Sequence, residues 1–346
     1  MTAANPTTRA KPSIHRLSAV QRRKERFMRI PVITLTLSLV TVALLAASAP
    51  SDAQSGCVGK IVKHALGETC VPGNAKRVAA LEWVYAENLL SLGVQPLAVA
   101  DIKGYNTWVG IDPKLASGVA EVGTRQAPNL ELLTTLKPDL ILVPSFRAAQ
   151  IYPRLAQIAP TLAFDPYPQD GSSHFAEMLT TYRTIAAAVG RSSIGEAVLT
   201  RMNAGFNAAR AQLVQRKLAG DSFVLAQAFT AQNTGTMRLF TRNSMASEIL
   251  ERIGLKNAWS DRAQPYGFTT LGLEGLTQLK TDHFIYIVQE SDNVFASSSV
   301  EALWKSLEFV KNDRAYRLSD TTWIFGGPLS AQVLVNGALN ALGKKP

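Results

Sequence analysis

The chain has 346 residues, 47% of them hydrophobic and 18% charged, with two cysteines and a formal charge of +10. That apolar content supports a sizeable core in about two domains, and it excludes both a disordered chain and a disulfide-dense miniprotein. Within residues 1–53, eight Lys/Arg between Arg9 and Arg29 face only Glu25 and Asp52, so this segment carries +6 and the remainder +4. The basic balance therefore belongs to the leading segment and gives no reason to expect a nucleic-acid partner.

Residues 1–53 read as an export signal. Basic Arg22-Arg23-Lys24 and Arg29 precede an uncharged run from Ile30 to Ala49, followed by Ser51-Asp52-Ala53 with small residues where a signal peptidase needs them. The run is also long enough for an uncleaved anchor. Met28 offers an alternative start, and Arg22-Arg23 an alternative twin-arginine address whose apolar pair is displaced to Phe27-Met28. Cys57 and Cys70 flank an alternating stretch with a turn near Leu66-Gly67, which predicts a hairpin closed by a disulfide in an oxidising compartment. The other reading is a lipid on Cys57, although Gln54-Ser55-Gly56 lacks the leucine that such a site prefers.

From Arg77 onward, short apolar runs alternate with helical patterns, the sequence form of a doubly wound parallel sheet. Val78 to Leu81, Leu97 to Ala100, Leu140 to Val143 and Leu162 to Phe164 are predicted strands. Ala86 to Leu92 and Leu130 to Leu136 are predicted helices, stopped by Gly93 and by Lys137-Pro138. Phe175, Met178, Leu179, Tyr182, Ile185, Ala186 and Val189 then form one apolar stripe, predicting an unbroken helix capped by Ser172 or Ser173 and ended by Gly190. A second amphipathic stretch, Ile194 to Leu218, leads to a strand over Phe223 to Phe229.

The second half echoes the first. Glu87 to Val94 is matched by Glu248 to Leu255, and Leu130 to Asp139 by Leu273 to Asp282, in the same order and 161 and 143 residues apart. Two echoes predict two similar α/β lobes joined by one long helix, with the cleft between them as the ligand site. The expected limits are 54–171 for the first lobe with its leading hairpin, 172–190 for the connecting helix and 191–346 for the second lobe.

Catalytic devices are scarce. The sequence has no Gly-x-Ser-x-Gly elbow, Walker loop or Gly-x-Gly-x-x-Gly. Gly220-Asp221-Ser222 resembles an esterase nucleophile block but falls where a helix should stop. His15 lies in the leader, and His64, His174 and His283 read as isolated surface or turn residues rather than metal ligands. No catalytic residue and no protein metal site is expected. Binding chemistry is richer, because aromatics and arginines collect at predicted strand ends: Trp83 and Tyr85, Tyr105 and Trp108, Arg125, Phe146 and Arg147, Tyr266 and Phe268, Trp323 and Phe325. Doubly wound sheets bind ligands there, and aromatic walls with arginines suit a bulky ligand bearing polarised oxygens. Glu131 and Glu274 occupy matching places in the two repeats, each at a helix start, as two negative knobs for a partner with basic pockets.

Several stretches carry a family resemblance. Val78-Ala79-Ala80-Leu81-Glu82-Trp83, Gly93 to Asp101, Val122-Gly123-Thr124-Arg125, Pro128 to Leu133 and Leu136 to Asp139 in the first half are involved. So are Asn257-Ala258-Trp259, Tyr266-Gly267, Trp323 to Gly326 and Leu329 to Ala331 in the second. Over residues 77–346 the chain resembles the iron siderophore-binding proteins of bacterial ABC importers, a group that also includes vitamin B12 and haem binders. Within the group it is most similar to ferric hydroxamate binders, with ferric citrate binders next.

The resemblance implies an exported, non-enzymatic monomer in the periplasm. Such a protein would carry an iron(III)–siderophore complex, with no cofactor of its own, to an ABC permease and its ATPase. It would touch the membrane only through the permease or a lipid anchor, and no nucleic acid. It implies that Arg125 hydrogen-bonds the iron-coordinating oxygens and that Tyr266 packs on the siderophore, where a ferric hydroxamate binder carries Trp. Arg147, beside Phe146, is more like the citrate binders. Trp83, Trp108, Trp323 and Phe325 complete the expected ligand wall, and Glu131 and Glu274 match the two permease-docking glutamates. Ferric citrate, haem, a corrinoid or a purely sensory role are the alternatives.

Overall fold

A computed structural model describes residues 57–343; the export signal expected over residues 1–53 lies outside them. Strands β1 (Lys60–His64) and β2 (Gly67–Val71) form an antiparallel hairpin, and a disulfide joins Cys57 to Cys70 across it, with 5.7 Å between the Cα atoms. The bond engages the Cys57 sulfur that a lipid would need.

The first sheet is built in chain order from β3 (Val78–Ala80), α1 (Trp83–Ser91), β4 (Ala98–Val99), α2 (Ile102–Trp108), β5 (Ala120–Glu121) and α3 (Leu130–Leu136). It is completed by β6 (Leu140–Pro144), α4 (Ser145–Ala148), α5 (Tyr152–Ile158) and β7 (Thr161–Phe164). All pairings are parallel, in the order β5-β4-β3-β6-β7. Every residue of β3, β6 and β7 is buried, which is why these strands read as apolar runs without alternation. The hairpin lies along the β7 edge, where the Ala65 amide donates to Ala163 O at 2.9 Å, so an otherwise open edge is covered.

Two helices, matching the two amphipathic stretches of the sequence, carry the chain to the second sheet. In α6 (His174–Ala188) the Ser173 hydroxyl accepts from the Ala176 amide, and Phe175, Met178, Tyr182 and Ile185 are buried as the stripe predicts. Gly190 takes φ 66°, a conformation few side chains tolerate, and turns the chain into the 24-residue α7 (Ser192–Gln215).

The second sheet contains β8 (Ser222–Ala231), β9 (Thr234–Phe240), α8 (Met245–Arg252), β10 (Lys256–Asn257) and β11 (Phe268–Gly272). A 3-10 turn (Leu273–Gln278), β12 (His283–Val288), α9 (Ser298–Ser306), α10 (Glu308–Lys311), β13 (Ala315–Arg317) and α11 (Pro328–Leu342) follow. Its order is β11-β9-β8-β12-β13, with β10 also on β8. Here the expectation of a parallel sheet needs correction. β8, β10, β12 and β13 pair in parallel, but β9 is reversed and pairs antiparallel with both β8 and β11. Gln232 and Asn233 both take positive φ, the two-residue turn that folds β9 straight back on β8.

The predicted echo appears as α1 answered by α8, and α3 with β6 answered by the 3-10 turn with β12. The two sheets share a continuous core through α6, α7 and α11 that includes Tyr85, Tyr182, Phe206, Phe240 and Leu334. Across the junction, the buried Glu87 carboxylate of α1 accepts from the Ser330 amide at 2.8 Å and from its hydroxyl at 2.6 Å. A carboxylate from the first lobe thus meets the N-terminus of a helix from the second, where the helix dipole favours it. Burial pushes the Glu87 carboxyl up from its ordinary pKa, and the Ser330 hydrogen bonds act against that rise.

Candidate ligand-binding site

The strand order of the first sheet reverses between β3 and β6, and a doubly wound sheet opens a crevice at the C-terminal ends of such a pair. Glu82 follows β3 there and Arg147 follows β6. Glu82 accepts from the Trp83 amide at 3.0 Å and so caps α1. Its Oε1 also takes Arg125 Nη1 at 2.8 Å, while Oε2 takes Arg147 Nη1. Arg125 further approaches Asp101 at 3.6 Å and lies flat on the Trp83 ring, 3.5 Å from its centroid. Arg147 stands over Phe146.

A third guanidinium arrives from the second lobe. Arg238 of β9 donates to Gln227 Oε1 at 3.0 Å and lies between the Phe229 and Phe268 rings. Burial pulls all three guanidinium pKa values below their ordinary level. Poorly hydrated cations of this kind gain strongly from charge-assisted hydrogen bonds to ligand oxygens.

Aromatic rings join these cations into one patch. Tyr167 is its hub, with ring centroids 5.7 Å from Phe146, 5.4 Å from Tyr266 and 6.2 Å from Phe325. Trp323 continues it to Phe325, Trp83 and Trp108 at 5.3, 5.0 and 6.4 Å. All eight residues expected to bind ligand, Arg125, Arg147, Phe146, Tyr266, Trp108, Trp83, Trp323 and Phe325, are therefore brought together. They are not equivalent: Tyr266 and Phe146 are 49% and 44% exposed, whereas Trp83 is 2% exposed and serves as the platform under Arg125. The Trp323 indole N–H is buried without a hydrogen-bond partner.

Tyr85 and Tyr105, read from sequence among the loop aromatics, are instead fully buried core residues. Sequence reasoning missed Tyr167, Glu82 and Arg238 as site residues. Tyr167 and Glu82 follow strands β7 and β3, so the strand-end rule would have found them. Arg238 sits mid-strand and gives no such signal.

Below Tyr167 a cavity of about 40 Å³ reaches the lobe junction, lined by Tyr85, Asn88, His174, Glu177 and Phe325 among others. That is room for one or two water molecules. His174 is buried and packs edge-on against Tyr167, contrary to the surface position expected of it, and burial drives its pKa down to about 4.

A profile of the periplasmic binding protein family matches residues 78–322. This protein belongs to the periplasmic binding protein family. The chain is 30% identical to the iron(3+)-hydroxamate-binding protein of Escherichia coli over 78% of its own length and 88% of that protein. It is 28% identical to the Fe(3+)-citrate-binding protein of Bacillus subtilis, over 83% and 87% respectively. Among solved structures, the siderophore-binding protein of Vibrio cholerae bound to Fe3+–Desferal superposes with a TM-score of 0.70 at 26% identity, covering 77% of this chain and 97% of that one.

Members of this family bind substrates in the periplasm and are not enzymes. The remaining polar residues agree with a binding role. Ser222 Oγ donates to Asp282 at 2.8 Å, while His283, buried rather than exposed, pairs with Asp221 at 3.0 Å. Serine and histidine are thus committed to different acids, at the start of β8 and away from the strand ends that form the cleft. Among the described residues no group of His, Cys, Asp and Glu forms a metal cluster. Glu131 and Glu274 are exposed in the first turns of α3 and the 3-10 turn, and Glu131 shares a surface hollow with Arg147.

Proposed function

We propose that this periplasmic binding protein captures a ferric siderophore, a ferric hydroxamate in the first place, and delivers it to an inner-membrane ABC permease and its ATPase. The observation that carries the reading is the convergence of Arg125, Arg147 and Arg238 from two lobes on one aromatic wall, with no metal-holding cluster of His, Cys, Asp and Glu among the described residues. A hexadentate siderophore fills the coordination sphere of iron(III) with its own oxygens. The protein then needs only donors for those oxygens and flat apolar surfaces for the organic shell. The buried Trp323 indole N–H is one more donor with nothing of its own to bond.

Arg125 is the primary contact to the chelating oxygens, Tyr266 and Phe146 pack on the chelator, and Glu131 and Glu274 dock the two lobes on the permease. The protein works as a monomer and contacts no nucleic acid. Arg147 favours ferric citrate as the second reading, because an additional arginine suits a polyanionic complex.

Three of the five tryptophans stand in the patch, so ligand entry is read from quenching of intrinsic fluorescence. Titration with ferrichrome, ferrioxamine, ferric citrate, haem and cobalamin should give tight quenching by a ferric hydroxamate. Quenching by ferric citrate alone moves the ligand class to citrate, and silence towards all five overturns the proposal.

A further inference from the structure

We infer that Glu82 sets the charge preference of the cleft, so that chelates of low net charge are admitted and anionic ones disfavoured. The inference rests on the siderophore reading above and specifies its substrate class. Glu82 is 8% exposed. Its two oxygens take three donors: the Trp83 amide, Arg125 and Arg147. Helix capping does not account for this residue. A cap needs one acceptor on a short side chain, for which Ser, Thr, Asp and Asn are preferred. The longer glutamate is what reaches two guanidiniums standing after different strands.

The partners of the three guanidiniums can be assigned one by one. Arg125 and Arg147 are balanced by Glu82 and by Asp101. Arg238 bonds a neutral amide, and among the described residues no carboxylate lies within ion-pair distance of it. The two first-lobe arginines are therefore each held by a carboxylate, and Arg238 is the one of the three guanidiniums without an acidic partner. Three monoanionic hydroxamates neutralise iron(III), so the chelate centre of a ferric trihydroxamate has no net charge and meets no repulsion from Glu82. A ferric citrate complex is anionic and must sit beside a carboxylate in a poorly hydrated site, where like-charge proximity is costly. Arg147 alone suggests a polyanion site; Arg147 held by Glu82 does not.

The test is Glu82→Gln, which keeps the side-chain length and one oxygen to accept from the Trp83 amide while removing the charge. Dissociation constants for ferrichrome and ferric citrate are measured by fluorescence quenching on wild type and variant. The wild type should prefer ferrichrome, and the variant should shift the ratio of the two constants toward citrate by about tenfold or more, a shift that shrinks in high salt. Glu82→Asp, which retains the charge, should keep the wild-type preference.

An unchanged ratio, with ferrichrome still bound by wild type, overturns the role of Glu82 and leaves the siderophore reading intact. A wild type that binds citrate in preference to ferrichrome overturns the role of Glu82 and moves the ligand class to citrate, while one silent towards ferrichrome, ferrioxamine, ferric citrate, haem and cobalamin overturns the siderophore reading as well. If Glu82→Gln does not fold, the wild type decides. It should bind neutral N-acetylated ferrioxamine at least about tenfold more tightly than the N-succinylated, carboxylate-bearing form, and equal affinity overturns the inference.

Discussion

The two lobes furnish the cleft in different ways. In the first, Glu82, Asp101, Arg125, Arg147 and Tyr167 all follow strands of a parallel sheet, and the cations are held by carboxylates. In the second, the antiparallel strands β9 and β11 offer Arg238, Phe240 and Phe268 from within the sheet or its edge, and the surroundings are aromatic. A parallel sheet presents its loops at one end, so charged groups from distant parts of the sequence meet there. A hairpin presents a flat face, which suits an apolar wall. On the proposed reading, the first lobe supplies the carboxylate-held arginines that meet the ligand oxygens, and aromatic rings from both lobes pack on the chelator.

The largest test of how far the lobes are equivalent concerns docking. Charge reversal at both Glu131→Lys and Glu274→Lys should abolish uptake of radiolabelled iron–siderophore by cells while ligand affinity stays unchanged. Either reversal alone should leave partial uptake. Retained uptake in the double variant removes the docking role.

His174, at the joint between the lobes, predicts a pH effect on stability. Its folded pKa of about 4 lies below the ordinary 6.5, so between these values the unfolded chain binds the proton and the folded chain does not. Stability should be full above pH 6.5 and fall by about 3 kcal/mol as the pH drops through 4. Urea denaturation at pH 7 and pH 4 measures it, and His174→Gln should flatten the difference.

Smaller effects separate charge from wall. Arg125→Ala should weaken ligand binding by about 1–3 kcal/mol, the scale for losing charge-assisted hydrogen bonds; unchanged affinity would remove Arg125 from the contact set. Tyr266→Ala, on the opposite lobe, should cost about 1 kcal/mol, the scale of one aromatic contact. A larger loss at Tyr266 than at Arg125 would put the wall ahead of the charge.

Much of this arrangement was legible in the sequence because it depends on local rules. Buried parallel strands read as apolar runs, Gly190 marks the end of α6, and residues just past a strand fall in the cleft. The repeat also exposed the two-lobe plan, since α1 and α8 keep the same glycine stop. What stayed hidden was non-local. Nothing in Thr234 to Phe240 distinguishes an antiparallel partner of β8 from another parallel strand, so the mixed sheet and Arg238 were missed together. The burial of His174 and His283 depends on neighbours far away in the chain, Asn243 for one and Asp221 for the other. Glu82 was visible only as part of a motif, because its meaning comes from two arginines on separate loops.

The Glu87 carboxylate at the N-terminus of α11 has a kinetic consequence. Rotating the lobes apart would strip this buried group of both Ser330 donors, leaving an unpaired acceptor at a cost of about 1–3 kcal/mol or more. The lobes are thus fastened at their base as well as by the helices. A ligand entering so stiff a cleft should associate at a rate limited by diffusion and orientation, without waiting for a closure step. Release then has no internal spring to drive it. The residence time of the bound complex is set by contacts in the cleft until an outside partner pulls on the two lobes.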